Sequence, residues 1–160
     1  MAAATVGEGL RAGAGTFRML IDLPARFSVG PVAFAAFSRA TDLSPRGIVF
    51  YSVYGIGGFL LTTAAFVVAW RSKASRPAQL TLAVSSVCSL LVLVATTQAA
   101  PLMWKIGRTG SERAVLADLL DRFVFWTALR VALVDISFLC VVAALLVELG
   151  PWPRKAGFDS

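Results

Sequence analysis

The chain has 160 residues, of which 58% are hydrophobic and only 15% charged, and its mean hydropathy of +0.77 lies well outside the soluble range. The formal net charge of +6 is spread over the chain rather than gathered with aromatics on one face, which argues against a nucleic-acid partner. With no His and only two Cys, a structural zinc site and a His-ligated haem are excluded. The composition predicts a helical membrane protein whose main partner is the lipid bilayer, with no metal and no cofactor.

The amino-terminal part combines a small-residue segment with charged side chains. Residues 2–23 are rich in Ala and Gly, but hydropathy alone would leave them outside a bilayer. Their charged members are Glu8, Arg11, Arg18 and Asp22. Pro24 and Pro31 then interrupt the chain, and the apolar stretch 29–37 is too short to span. We therefore predict a short helix at about residues 31–40 that lies at the membrane interface.

Three long apolar stretches follow, and each ends at signals typical of a membrane interface. They cover about residues 47–70, 78–100 and 120–149. The flanking residues are Trp70 for the first, Pro101 for the second, and Gly150, Pro151 and Pro153 for the third. Each stretch supplies the roughly 20 residues that one bilayer crossing needs, so the sequence predicts three membrane helices here.

The last of these stretches contains two charged residues, Arg130 and Asp135. Charges inside a membrane segment are costly unless they face a polar interior, and they often mark functional sites. Five residues separate the two, which places their side chains roughly 140° apart around the helix. Each is therefore expected to find partners on neighbouring helices.

Three segments carry a further pattern. They are GLRAGAGTFRMLIDLPAR at residues 9–26, QAAP at 98–101 and DRFVFWTALR at 121–130. Together they resemble the anthrone-oxygenase-like family of small membrane proteins, in which a small-residue helix ends in a Pro-Ala-Arg corner. That family often has an acidic residue followed by His before the corner, whereas this chain has Asp22 followed by Leu23. No role of that His carries over to this chain.

The resemblance implies an all-α integral membrane four-helix bundle, with the short interfacial helix between helices one and two. It adds a membrane helix at about residues 3–23, which composition did not indicate, and makes residues 1–160 a single membrane domain. It also implies a cofactor-independent oxygenase-like enzyme that acts on an aromatic small molecule. We expect a multi-pass protein of the plasma (inner) membrane.

Antiparallel packing of four helices would place parts of helices one and four at the same depth. With midpoints near Gly13 and Asp135, Arg11 lies within about 3 Å of the depth of Asp135 at a rise of 1.5 Å per residue. A buried Arg and Asp at matching depth would satisfy each other, while either alone would be costly. We predict that Arg11 and Asp135 form a structural ion pair.

The same comparison of depths places polar side chains of all four helices in one half of the bilayer. One interpretation is a pocket that holds a planar or anionic small molecule. Its catalytic candidates are Arg130, Tyr54 and Asp135, which would stabilise an anion and handle a proton, and its substrate-binding candidates are Arg18, Tyr51 and Gln98. The other interpretation is that the arginines only reach towards lipid headgroups and the tyrosines form an aromatic belt.

A second class of function is left open by the sequence. The chain could be a non-enzymatic membrane carrier or an accessory or assembly subunit, with a purely structural ion pair between Arg11 and Asp135. Glycines at positions 55, 57 and 58 would then let a second copy approach closely in a homo-oligomer. A small hydrophobic or aromatic ligand would favour the enzyme instead.

Overall fold

The structure, a computed structural model, describes residues 1–150, and every regular element within them is helical. The helices are α1 (Ala2–Phe17), α2 (Leu23–Val29), α3 (Pro31–Thr41), α4 (Pro45–Arg71), α5 (Arg76–Arg108) and α6 (Arg113–Leu149), and a π-helical turn, Arg18–Asp22, joins α1 to α2. The expected all-helical class is confirmed for this range. Pro151 and Pro153, the predicted stop signals after the last helix, lie outside the described residues.

Three helices, α4, α5 and α6, are long and apolar enough to cross a membrane. They contain 27, 33 and 37 residues. At 1.5 Å per residue the shortest is about 40 Å long, which exceeds the roughly 30 Å thickness of a bilayer's hydrocarbon core. Length and composition therefore support an integral membrane protein.

The long helices and α1 pack as a ring. α5 packs against α4 and α6, and α1 closes the ring by packing against α6 and α4. The shorter α2 and α3 cover one end, where Leu23 and Phe34 join a buried apolar cluster with residues of α5 and α6. An ion pair of 2.8 Å between Arg26 and Asp121 fixes α2 to α6 at this end. Each of the three long helices thus has two neighbours around a common interior.

The first helix buries its charges and exposes its apolar side chains. Glu8 and Arg11 are 0% and 4% exposed, whereas Val6 and Leu10 are 64% and 71% exposed. Such an arrangement would be unfavourable in water, but it suits a helix with lipid outside and a polar interior. The two charges of α1 lower its mean hydropathy, although both side chains point inwards.

Several helix ends differ from the sequence prediction. The first helix continues beyond residue 23 through its π-helical turn, because Pro24 sits in the first turn of α2, where its missing N–H is not needed. α5 continues through Pro101 to Arg108, since Pro is tolerated in membrane helices when neighbouring helices support the chain. α6 begins at Arg113 rather than near residue 120.

Candidate functional site

The polar centre of the bundle is built on Glu8 and Arg11, one helical turn apart on α1. Arg11 Nη1 lies 2.5 Å from Glu8 Oε1, and both side chains are buried. Arg11 also donates a hydrogen bond of 3.5 Å to Ser89 Oγ on α5. Gly58 on α4 makes room for the guanidinium, because a Cβ at that position would overlap it. Glycine is required here for close approach rather than for backbone freedom.

The predicted ion pair between Arg11 and Asp135 is therefore wrong. Asp135 instead accepts hydrogen bonds from the Thr16 hydroxyl, at 3.4 Å to each carboxylate oxygen. Matching depth brings two residues to one level, but it does not fix the direction in which each side chain points around its helix. Glu8 precedes Arg11 by three residues and shares its face, so it is the nearer partner.

Three buried serines extend the polar centre across α5 and α6. The hydroxyls of Ser85 and Ser137 lie 2.8 Å apart, and those of Ser89 and Ser137 lie 3.3 Å apart. All three residues are fully buried. Small hydroxyl side chains let two helices approach closely and bond to each other across the interface. The α5–α6 pair is thus a well-packed support for the charged face of α1.

A second polar cluster, made of Arg18, Asp42 and Tyr51, lies at the end covered by α2 and α3. Arg18 donates to both carboxylate oxygens of Asp42, at 2.8 and 2.5 Å. The Tyr51 hydroxyl donates to Asp42 Oδ1 at 3.0 Å and accepts from Arg18 Nη1 at 2.5 Å. This bidentate pairing neutralises the Arg18 charge within the protein.

Asp42 is the residue of this candidate site that sequence reasoning missed. It follows α3 in the short connection to α4, outside every predicted membrane segment, and no motif marks it. Its burial, with 7% of its surface exposed, is the signal that identifies it in the structure. An acid in a connecting loop can be recognised as a partner only once α1 and α4 are placed beside it.

A cavity of about 330 Å³ adjoins this second cluster and is lined by residues of α1, α4, α5 and α6. Its apolar lining includes Val92, Met103, Phe123 and Val134. Its polar lining includes Arg18, Asp22, Asp42, Tyr51, Tyr54, Thr96, Thr127 and Arg130. The volume falls within the range of sites that bind small molecules, roughly 300–1,000 Å³. A mostly apolar wall with a few polar groups is the usual chemistry of such sites.

Tyr54 links the cavity to the polar centre. Its hydroxyl donates a hydrogen bond to the main-chain carbonyl of Arg11, and the Arg11 guanidinium lies 5.3 Å from the centroid of its ring. The Tyr54 proton is therefore committed to the backbone of α1, while the oxygen can still accept a hydrogen bond. A Cβ at Gly15 on α1 would make an ordinary contact of 3.7 Å with the Tyr54 hydroxyl, and its tight contact, at 3.2 Å, would be with Val131 of α6.

Arg130 lines the cavity without a protein partner. Within residues 1–150 it forms no ion pair and no hydrogen bond, and its Nε is buried and unsatisfied. We expected Arg130 to have no partner on its own helix, because the side chain of Asp135 points in a different direction around α6. The structure therefore brings together four predicted site residues around one space: Arg18, Tyr51, Tyr54 and Arg130.

Two predicted site residues lie away from the cavity. Gln98 is exposed on the outer face of α5, two residues and about 200° from the cavity-lining Thr96. Asp135 is held by Thr16 and does not line the cavity. The substrate-binding role predicted for Gln98 and the catalytic role predicted for Asp135 stay predictions, and neither residue lines this cavity.

A shallower depression outside the bundle shares a wall with the cavity. Arg18, Asp42 and Tyr51 line both spaces, whereas Arg130 lines only the inner one and Arg46 only the outer one. The second polar cluster therefore stands between an inner, mostly apolar chamber and a polar outer surface.

The glycines of α4 face mostly inwards. A Cβ at Gly55 would meet Leu93 of α5 at 3.4 Å, and one at Gly58 would overlap Arg11, whereas Gly57 faces open space. Of the glycines at positions 55, 57 and 58, close packing within this chain therefore requires only Gly58, and a Cβ at Gly55 would make an ordinary contact. A metal site has no support in the described part of the chain, where no group of three or more acidic or Cys side chains could hold an ion.

Comparison with protein-family models, with curated proteins and with solved structures finds no match for this chain. The cavity and the residues around it are therefore the features that bear on function.

Proposed function

We propose that this chain is a multi-pass protein of the plasma membrane in which α1, α4, α5 and α6 all cross the bilayer and α3 lies at the interface. The buried charges and exposed apolar side chains of α1 support a fourth crossing. Exposed apolar side chains on α3, among them Val32 and Phe37, suit a helix lying at the headgroup level.

The fourth crossing can be tested by labelling from one side of the membrane. If α1 crosses, a cysteine placed at Ala2 and one placed at Lys73 lie on the same side, because two crossings separate them. Both should react with an impermeant maleimide in the same vesicle orientation, in a background with Cys88 and Cys140 replaced by Ala. Labelling from opposite sides would show that α1 does not cross.

We further propose that the bundle binds a small hydrophobic molecule in the cavity. The carrying observation is the cavity itself, about 330 Å³ of mostly apolar space between the four longest helical segments. In keeping with the family resemblance, the activity that fits this site is oxidation of an aromatic ligand by dioxygen without a bound cofactor. Arg130 would stabilise an anion of the ligand, and the Tyr54 oxygen would accept a hydrogen bond from it.

Two measurements test this proposal in sequence. Mass spectrometry of the protein purified in mild detergent should detect a co-purifying small molecule, and loss of that molecule on substitution of cavity residues would place it there. Oxygen uptake should then be followed with hydroxylated aromatics as substrates. Binding without oxygen uptake over a broad panel would reject the enzyme and retain the binding protein.

A carrier is the second candidate, and one observation favours it. The Arg18–Asp42–Tyr51 cluster separates the cavity from the outer depression, which is where a carrier would need a gate. A ligand trapped in reconstituted vesicles should then leave faster when Asp42→Asn breaks the cluster. An enzyme with no transport role would show no flux with or without this substitution.

An accessory subunit would act through contacts with other chains. Gly57, which faces open space on α4, is where a second copy could approach closely. Cross-linking in native membranes would detect a homo-oligomer, and Gly57→Leu should abolish one that uses this face. A monomer in membranes would exclude the homo-oligomer.

A further inference from the structure

The side-chain donors around the cavity are nearly all committed to partners within the protein. Their acceptors are Asp42 for Arg18 and Tyr51, the Arg11 carbonyl for Tyr54, the Val92 carbonyl for Thr96 and the Phe123 carbonyl for Thr127. Ser52 and Trp104 have no such partner, but both lie at the exposed edge of the cavity. Inside it, a ligand meets few free hydrogen-bond donors.

Arg130 is the exception, because none of its N–H groups has a partner in the described chain. A guanidinium carries five donors and no acceptor, and it remains charged at any physiological pH. A positive charge in a membrane interior is costly unless an anion or water compensates it. The cavity wall therefore presents a fixed cation that is unpaired while the acids nearby serve another arginine.

The planar geometry of the guanidinium favours a planar, two-oxygen anion. Building on the proposed binding function, we infer that the cavity ligand is a hydrophobic monocarboxylate whose carboxylate binds Arg130 in a bidentate fashion. Its apolar body lies along Val92, Val134 and Phe123, which line the same space. Arg–carboxylate pairs of this kind combine strength with orientation.

The charges at the outer end of the cavity limit the ligand to a single negative charge. Asp22 and Asp42 line both the cavity and the outer depression, whereas Arg130 lines the cavity alone. Asp42 is bound to Arg18, and Asp22 stands beside the same arginine, so neither compensates Arg130. A phosphate or a dicarboxylate would bring a second charge that no other free cation matches among the described residues of the cavity lining, since Arg46 lines only the outer depression.

The inference can be tested with matched acid and amide probes. Protein in nanodiscs of phosphatidylcholine is dialysed against 2-naphthoate, 2-naphthamide, dodecanoate or dodecanamide, and uptake by empty nanodiscs is subtracted. We expect one of the acids to bind about 30-fold or more tightly than its amide, the size expected for a buried charge-assisted pair. The aryl and alkyl arms distinguish an aromatic acid from a fatty acid.

Arg130→Gln should abolish this preference, while Arg122→Gln, which removes an exposed arginine of the same helix, should leave it unchanged. Arg130→Lys keeps the positive charge but loses the planar pair of N–H donors that binds a carboxylate, so we expect the preference for the acid to fall about tenfold. The Arg130→Lys variant also tests the inference if the Arg130→Gln variant does not fold.

Three outcomes would overturn the inference. They are equal binding of acids and amides, an acid preference that survives in the Arg130 variants, and no binding of any probe. The first two would leave the proposed hydrophobic binding site intact. If no probe binds, the co-purification experiment decides what remains. A neutral molecule found in the cavity would retain the proposed binding function, and an empty cavity would reject both that function and the carboxylate ligand.

Discussion

Removing Glu8 tests the polar centre most directly, because it leaves Arg11 buried without its counter-ion. Glu8→Leu takes away a carboxylate that lies 2.5 Å from the guanidinium and replaces it with a side chain of similar size. The remaining polar contact of Arg11, to Ser89 at 3.5 Å, is at the limit of a hydrogen bond. Within residues 1–150, Glu8 is the only acid that forms an ion pair with Arg11.

The expected cost follows from the burial of the pair. Breaking a buried ion pair by removing one partner typically costs about 3–5 kcal/mol, while replacing both by apolar residues is often neutral. We therefore expect Glu8→Leu to lower the free energy of unfolding by about 3–5 kcal/mol. The double variant with Arg11→Met should return to within about 1 kcal/mol of the wild type.

The measurement is the unfolding free energy in mixed detergent micelles titrated with SDS, followed by far-ultraviolet circular dichroism. Asp135→Asn is the control, because its hydrogen bonds from Thr16 are 3.4 Å long and its loss should cost less than about 1 kcal/mol. A loss for Glu8→Leu as small as that of the control, or a double variant that shows the sum of the single losses, would contradict a strong buried ion pair between Glu8 and Arg11. A large effect of Asp135→Asn would show that Asp135 contributes more to stability than its two long hydrogen bonds from Thr16 predict.

The remaining predictions concern single contacts and use the same assay. Gly58→Ala should destabilise the protein by about 1–3 kcal/mol because its Cβ overlaps Arg11, whereas Gly57→Ala, facing open space, should be neutral or slightly stabilising. Equal effects would contradict the inward packing of Gly58. Asp42→Asn should cost about 1–3 kcal/mol by weakening the bidentate pair with Arg18, while Asp118→Asn, on an exposed 4.0 Å pair, should change stability by less than about 0.5 kcal/mol. Gln98→Ala should leave stability and ligand binding unchanged; any loss of binding would place Gln98 in the cavity wall.

The long apolar helices could be predicted from sequence because length and hydropathy depend on each segment alone. Residues 47–70 were expected to span, and α4 covers Pro45–Arg71. The ends were less accurate wherever a neighbour supports the chain past a sequence signal. Pro101 reads as a stop in isolation, yet α5 continues for seven more residues beyond it.

The candidate site was predicted in part for a related reason. Residue numbers along antiparallel helices give depth, and depth alone was enough to gather Arg18, Tyr51, Tyr54 and Arg130 at one end of the bundle. Depth could not exclude Gln98, because its neighbour Thr96 lies at nearly the same level but on the inner face of α5. Separating the two requires the rotation of each helix, which is set by packing partners.

The rotation of α1 about its axis shows how one small residue determines which partners the charged side chains meet. Gly58 admits the Arg11 guanidinium between α1 and α4, and Tyr54, one turn earlier on α4, donates a hydrogen bond to the Arg11 carbonyl. Arg11 is held beside Glu8, so Asp135 is left to Thr16 and Arg130 to the cavity. If Glu8 were absent, Arg11 and Arg130 would both need an anion. The cation available to a ligand is therefore determined by an ion pair that the ligand never touches.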